Sequence, residues 1–361
     1  MNLFSLKPNI SQQIPSIPER WLQYDWLTLG LFSVGLIGYC LLLASVIFSI
    51  LHPIVNIVLS VALGYIAFTV VHESVHGNLF AGDNKRVWLN DSIGWVAALP
   101  FVIIPSSVFK TLHLHHHAFL NDPERDPDYF CHSHHPLIAL TKCTVLSLHY
   151  LVWYTRLLGK EQLAISNILS TSLYFCVWAL IIGACVRFEW LTQLTLYAVL
   201  PAWLTSIILA WVFDHIVHHP HTEQDSYKGT NAYHFKGAKW LTLGQNSHVV
   251  HHVNPSIVWH QYEQHLHKIE QQLPKANPES VETILDMALR NEIAVPHLCK
   301  KGICGQCKMK IEVGEYELDS KTNNTLTATE QAQGYVLICQ SVAHPKDKDA
   351  INRWLSERYQ R

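Results

Sequence analysis

TLHLHHHAFLNDPERDPDYF, residues 111–130, carries imidazoles at His113, His116 and His117. On a period of about 3.6 residues, positions i, i+3 and i+4 share one helix face, so this H-x-x-H-H spacing aims three neutral nitrogen ligands at one place. His115 falls off that face. In the acidic turn that follows, two prolines stop the helix and leave Asp122, Asp126 and Asp128 near the imidazoles as orienting partners. A single triplet is also what a solvated histidine run looks like. Repetition favours ligation: H-x-x-H-H recurs at His248, His251 and His252 and at His215, His218 and His219, and His72 pairs with His76 at i, i+4.

Around these groups the chain is apolar. It has 361 residues, 24 of them histidine, and a formal net charge of -2, so there is no electrostatic case for nucleic acid. Four uncharged stretches, 27–50, 53–71, 162–186 and 191–213, each reach the roughly 17 to 25 residues that cross a bilayer as a helix. They predict an integral membrane protein. The first lies too late and lacks the small-residue cleavage site of a removable signal peptide, so it is expected to be retained. Residues 1–26, with Trp21, Tyr24 and Trp26, read as an interfacial lead-in.

Positive charge sets the orientation. The connection at Leu51 and His52 has no Lys or Arg, whereas Lys85, Arg86, Lys110, Arg125, Lys142, Arg156 and Lys160 fall between the second and third stretches. The positive-inside rule makes that segment cytoplasmic, and the Lys/Arg-rich tail from Asp214 onward with it. Ile93 to Phe109 is uncharged but broken by Pro100 and Pro105, which predicts a re-entrant or interfacial segment. Four crossings of the cytoplasmic (inner) membrane then bring every histidine group to one side.

Two further groups carry chemistry. In VHESVHGNLF, His72 and His76 follow the second stretch; as H-E-x-x-H they also match a zinc metalloprotease, with Glu73 as general base. A protease needs one more ligand, whereas the chain offers complete triplets besides, which calls for a second metal ion. In VFDHIVHHPH, Asp214 and His218 are i, i+4, so His218 can face the site with Asp214 beside it. His215, His219 and His221 have no forced role and are read as non-ligands, as are His132, His134 and His135. Imidazole suits iron, copper or zinc, and paired histidines on membrane helices would also suit a b-type cytochrome.

Cysteine narrows the choice to a redox metal. Of nine cysteines, Cys40, Cys131, Cys143, Cys176 and Cys185 are scattered and imply no disulfide framework. Cys299, Cys304 and Cys307 follow C-x4-C-x2-C, and Cys339 lies far downstream, the spacing of a plant-type [2Fe-2S] cluster. Gly302 and Gly305 let the loop wrap closely around it. A one-electron carrier tethered beside a histidine site implies a metal that changes oxidation state. Residues 268–280, which include the polar run QQLPKANPES, read as a linker into this second domain, residues 281–361. Asn277 and Pro278 read as a helix start, with an apolar stripe at Ile284, Met287 and Ala288.

These motifs carry a resemblance. HLHHHAFLNDPERDPDYF, VFDHIVHHPH and LGQNSHVVHHVNPSIVWHQY, within residues 60–265, resemble the boxes of the membrane fatty acid desaturase superfamily of non-haem di-iron oxygenases, most closely its beta-carotene hydroxylase branch. The first box, with Glu73 and Gly77, has a form shared with acyl-lipid desaturases and carotenoid ketolases. Residues 281–352, including GYVLICQ, resemble a plant-type ferredoxin, without a period-2 pattern between His267 and Glu282 for its opening hairpin. The resemblance implies an all-α membrane domain (residues 27–267) of four transmembrane helices with a cytoplasmic histidine cap, joined to a small α+β, beta-grasp ferredoxin domain. It implies two non-haem irons on His72, His76, His113, His116, His117, His218, His248, His251 and His252, with Glu73 and Asp214 behind them. One [2Fe-2S] cluster would sit on Cys299, Cys304, Cys307 and Cys339. The expected reaction is O2-dependent hydroxylation of a carotenoid such as beta-carotene, or desaturation of a fatty acyl chain, on a lipid substrate from the bilayer. Electrons would come from a separate NAD(P)H-dependent ferredoxin reductase.

Overall fold

The structure, a computed structural model, describes residues 24–81, 86, 88–160, 162–227, 229–233, 235–272, 282–291, 293, 295, 307–318 and 326–359. Trp21, most of the linker, Asn277, Pro278, Cys299 and Cys304 lie outside the described residues. The chain divides into two compact units, residues 1–230 with 239–266, and residues 231–238 with 267–361.

The first unit is helical: α1 (Trp26–Ile47), α2 (Pro53–Val75), α3 (Trp88–Ala98), α4 (Ser106–Ala118), α5 (Pro136–Gly159), α6 (Ile165–Arg187) and α7 (Leu191–Ile216). Asp25 caps α1 by accepting the Thr28 N–H at 3.2 Å, and α2 and α5 begin on prolines, whose missing N–H costs nothing in a first turn. On α1, Leu36, Ile37 and Leu41 are exposed, as are Leu169, Leu173 and Leu180 on α6. Such apolar belts are stable against hydrocarbon, and this is a membrane protein. The inner core joins Phe68 and Val71 of α2 to Phe101, Tyr174 and Phe213, and the Tyr174 hydroxyl ties α6 to α3 by donating to the Ala98 carbonyl at 2.8 Å.

Three local features differ from, or sharpen, the sequence reading. The broken segment is a helix pair, residues 88–101 and 106–118, bent by 101° where Pro100 and Pro105 withhold N–H groups, and it delivers α4 to the histidine layer. Helix α5 is a fifth helix long and apolar enough to cross a membrane. Lys142 and Arg156 interrupt its hydropathy, yet Ala139, Cys143, Leu146, Tyr150, Tyr154 and Leu157 form a buried stripe at helical spacing, and Lys142 Nζ turns aside to the His132 carbonyl at 2.7 Å. Helix α7 contains two π-helical segments, Thr195–Val199 ahead of Pro201 and Ala210–Ile216 at its end. The wider π turn removes the i, i+4 alignment expected of Asp214 and His218.

After α7 come α8 (His248–Val253) and α9 (Tyr262–Gln272). The second unit has α10 (Ile284–Arg290), β1 (Lys308–Lys310), β2 (Tyr316–Leu318), α11 (Ala328–Ala332), β3 (Tyr335–Leu337), β4 (Ser341–Ala343) and α12 (Lys348–Tyr359). Strand β1 pairs antiparallel with β3, Met309 opposite Val336, and β2 with β4, Glu317 opposite Val342. Helix α10 is capped by Thr283, whose hydroxyl accepts the Asp286 N–H while Asp286 accepts the Thr283 N–H. The expected stripe Ile284, Met287 and Ala288 is buried against Val336, Leu337, Ile338, Ile351 and Leu355.

Candidate metal centre

Four chain segments end at one layer of histidines: the C-terminal end of α2, the last turns of α4, the turn after α7, and α8. His72, His113, His116, His218, His248, His251 and His252 are buried, and His76 and His117 are half-buried. Two groups form. His72, His76, His113 and His251 each offer a nitrogen within 4.8 Å of the others, as do His116, His218 and His252. His117 joins them, its Nε2 lying 2.8 Å from His251 Nε2 and 3.2 Å from His113 Nε2, while the His248 ring lies 4.8 Å from that of His252. His76 and His113 approach at 2.9 Å, and His116 and His252 at 3.3 Å, through their Nε2 atoms. Neighbouring ligands on one ion with metal–nitrogen bonds of about 2.1 Å have this spacing.

The outer nitrogens are held from behind. His116 Nδ1 lies 3.0 Å from Asp126 Oδ1 and 3.3 Å from Asp128 Oδ2; His218 Nδ1 donates to the Gly229 carbonyl at 3.2 Å; His248 Nδ1 donates to Gln245 Oε1 at 2.7 Å. His251 Nδ1 donates to the Tyr262 hydroxyl at 3.1 Å, which donates to Glu73 Oε1 at 3.3 Å, and Asn78 holds the other Glu73 oxygen at 2.7 Å. Each bond puts the ring proton on Nδ1 and turns the Nε2 lone pair inward. Burial, then neighbouring imidazoles, hold His218, His248, His251 and His252 well below the ordinary histidine range, in the neutral form a ligand needs. His218 Nε2 and both nitrogens of His72 have no hydrogen-bond partner among the described residues. Orphaned buried lone pairs of this kind are what a bound metal ion satisfies, so the donor set fits two metal ions.

Some expected roles move. Asp126 and Asp128 reach His116, but Asp122 instead accepts from Arg125 and from the backbone of Glu124, closing the turn. Asp214 hydrogen-bonds Asp128, which in turn reaches His116. Burial pushes the Asp128 carboxyl up to about 6, and Tyr150 donates to it at 2.5 Å. Glu73 is fully buried and bound by Asn78 and Tyr262; held there, it has no exposure from which to act as the general base of a protease. His215, His219 and His221 form a separate group.

Among the supporting groups that escaped the sequence reading are Tyr262, Gln245, Gly229 and Tyr150. Gln245 lies three residues before His248, a helical spacing that signals it. The others reach the site from distant positions and leave no local pattern. Gly244 permits α8 to start where it does. Its φ is +80°, and an added Cβ would meet the Trp259 carbonyl oxygen at 2.3 Å.

A mostly apolar pocket borders the histidines, lined by Phe68, Phe101, Ile104, Phe109, Leu146 and Phe213 together with His72, His113, His116, His248, Asp128 and Asp214. Phe109 stacks on His113 at 4.9 Å between centroids. A second cavity of about 440 Å³ between α1, α2, α6 and α7 shares Phe101 as a wall.

Comparison with known families agrees with this layout. A sequence model of fatty acid desaturases matches residues 48–283, well over half of the chain. The chain belongs to the fatty acid desaturase family. A second model, for 2Fe-2S iron-sulfur cluster binding domains, matches residues 269–344, so this desaturase-family protein is fused to a ferredoxin-type domain. Among curated relatives, the chain is 42% identical over 66 residues to one component of the 1,2-phenylacetyl-CoA epoxidase of Escherichia coli. It is 36% identical over 63 residues to the reductase component of an aromatic O-demethylase of Amycolatopsis sp., and 40% identical over 62 residues to the electron transfer component of a 2-halobenzoate 1,2-dioxygenase of Burkholderia cepacia. These matches span 17–18% of this chain and 18–19% of the relatives' lengths.

In the second unit, Cys307 and Cys339 are buried with their Sγ atoms 3.2 Å apart, Cys307 just ahead of β1 and Cys339 in the turn after β3. The Ile338 N–H donates to the Cys307 carbonyl at 3.3 Å and joins the two segments. Two thiolates so placed can bind one iron of a cluster.

Proposed function

We propose that this desaturase-family protein is a di-iron membrane oxygenase that inserts oxygen into an unactivated C–H bond of a lipid, with a carotenoid such as beta-carotene as substrate. The convergence of nine imidazoles beside a mostly apolar pocket carries the reading. Two irons held by His72, His76, His113, His116, His117, His218, His248, His251 and His252 would supply the oxidising power, with O2 as oxidant. The chain's own residues do the rest. Glu73, Asp126, Gln245, Tyr262 and the Gly229 carbonyl hold the rings in one tautomer, Phe68, Phe109 and Phe213 exclude water, and the pocket takes an apolar hydrocarbon without a headgroup contact. Hydroxylation consumes two electrons and two protons per O2; the ferredoxin domain, residues 281–361, would pass the electrons from a separate NAD(P)H-dependent reductase through a cluster on Cys299, Cys304, Cys307 and Cys339.

Four membrane crossings fit this reading. The His layer takes residues from the end of α2, the end of α4 and the end of α7, so these three points share one face of the membrane. Between α4 and α7 only two of α5, α6 and α7 can then cross. Lys142 and Arg156 make α5 the costliest to insert. The bent pair α3–α4 returns to its own side. The positive-inside rule favours a cytoplasmic histidine face.

The carotenoid assignment rests on the resemblance of residues 113–130, 212–221 and 243–262; the apolar pocket suits either a carotenoid ring or an acyl chain. Fatty acyl desaturation is the second reading. Expression in a host that accumulates beta-carotene, with pigments and fatty acids both analysed, tests the choice. Cryptoxanthin or zeaxanthin is expected. Echinenone would make the enzyme a ketolase, and new acyl double bonds with unchanged pigment would make it a desaturase.

A further inference from the structure

His215, His219 and His221 stand apart from the nine imidazoles assigned above, yet each offers a nitrogen within 4.8 Å of the other two. His215 lies in the last turn of the second π segment of α7, and His219 and His221 lie in the turn that follows. His215 is 6% exposed and His221 4%, while His219 is half-buried at the outer side. The His221 Nε2 lies 2.9 Å from the Asp214 carbonyl oxygen, and only a protonated nitrogen can face a carbonyl there. Its proton is therefore on Nε2 and its lone pair on Nδ1. The Cys131 carbonyl likewise accepts from the His215 ring. Nδ1 of His215 and of His221 is buried without a hydrogen-bond partner among the described residues.

The backbone is arranged to keep these rings where they are. His221 takes φ +64°, the left-handed region that residues with a Cβ avoid, and its N–H donates to the His218 carbonyl at 2.7 Å. His132, whose Nδ1 likewise has no hydrogen-bond partner among the described residues, lies alongside, its ring 5.2 Å from that of His221. Buried lone pairs without a donor are unfavourable, and a cation held among the three rings would satisfy those of His215 and His221.

We propose that His215, His219 and His221 form a third metal site, separate from the di-iron pair, that binds a divalent transition ion of the zinc class. Three neutral imidazoles with one side open to water, or to His132, are a donor set that zinc accepts without a redox change. The carbonyl of Asp214 plays the part of the backbone partner that commonly orients a ligating histidine. The ion would clamp the turn 215–221, whose inner side presents His218 to the di-iron pair. It would thus act by positioning.

Zinc retention by the full-length purified protein tests this. The protein is dialysed against micromolar Zn²⁺, passed through a metal-free column and analysed for zinc, iron and cluster absorption together. Wild type is expected to keep one zinc in addition to its full iron. His219→Gln and His221→Asn, the latter chosen because Asn tolerates positive φ, are each expected to lose that zinc with iron and cluster absorption unchanged. Wild type that retains no zinc, or variants that retain as much as wild type, would overturn the proposal. If a variant loses iron as well, Co²⁺ loading of the wild type decides: the intense visible bands of four-coordinate cobalt support the site, and a weak six-coordinate spectrum refutes it.

Discussion

Tyr262 shows how much of this centre depends on groups that never touch a metal ion. Its hydroxyl links His251 Nδ1 to Glu73, and burial, then the charge of Glu73, keep it protonated far beyond neutral pH. Tyr262→Phe should weaken iron binding about 10-fold or more, the usual cost of losing such a partner, read as iron per chain after dialysis against a mild chelator; unchanged retention would remove Tyr262 from the account. Gly244→Ala should be worse. Positive φ alone costs about 1–2 kcal/mol for a residue with a Cβ, and the clash with the Trp259 carbonyl adds to it. A lower thermal midpoint together with lost iron is expected, and a wild-type midpoint would refute the close approach. The sequence revealed the imidazoles because helical spacing is local. It did not reveal Tyr262 or the Gly229 carbonyl, because their bonds to His251 and His218 span 11 residues each and follow no period.

At the scale of elements, helices were legible where apolar runs were clean and obscure where function interrupts them. Helices α1, α2 and α6 fell close to expectation. Helix α5 was hidden by Lys142 and Arg156, although its buried stripe from Ala139 to Leu157 was there to be read. The π turn at Ala210–Ile216 has no sequence signature, so the local register around Asp214 was not legible. Likewise Thr283, with Asp286 three residues on, caps α10 where Asn277 had been expected to start a helix. One contact ties α3 to the site. An added Cβ at Gly94 would meet Ser74 Oγ at 2.1 Å and Ser74 Cβ at 3.0 Å. Gly94→Val should therefore push α3 and α4 away from α2, at a cost of about 1–3 kcal/mol from overpacking, and separate His113 from His76. Reduced iron content with the cluster spectrum intact is the expected outcome; normal iron content would mean that α4 is positioned by its other neighbours.

At the scale of the whole molecule, the proposed function divides labour between a membrane unit that would hold the oxidising metals and a ferredoxin-type domain that would feed them electrons. Cys339→Ser should abolish the cluster spectrum and reductase-driven turnover while leaving iron on the histidines, because the two ligand sets belong to separate units. Persistent turnover without added ferredoxin would exclude the fused domain as donor. The most direct measurement is iron quantification with Mössbauer spectroscopy on the ⁵⁷Fe-grown, full-length protein. Four irons per chain are predicted, half in a [2Fe-2S] signal and half in a nitrogen-ligated pair that His116→Ala and His251→Ala each deplete. Full turnover with zinc on the histidines, or only the two cluster irons in an active preparation, would contradict the account.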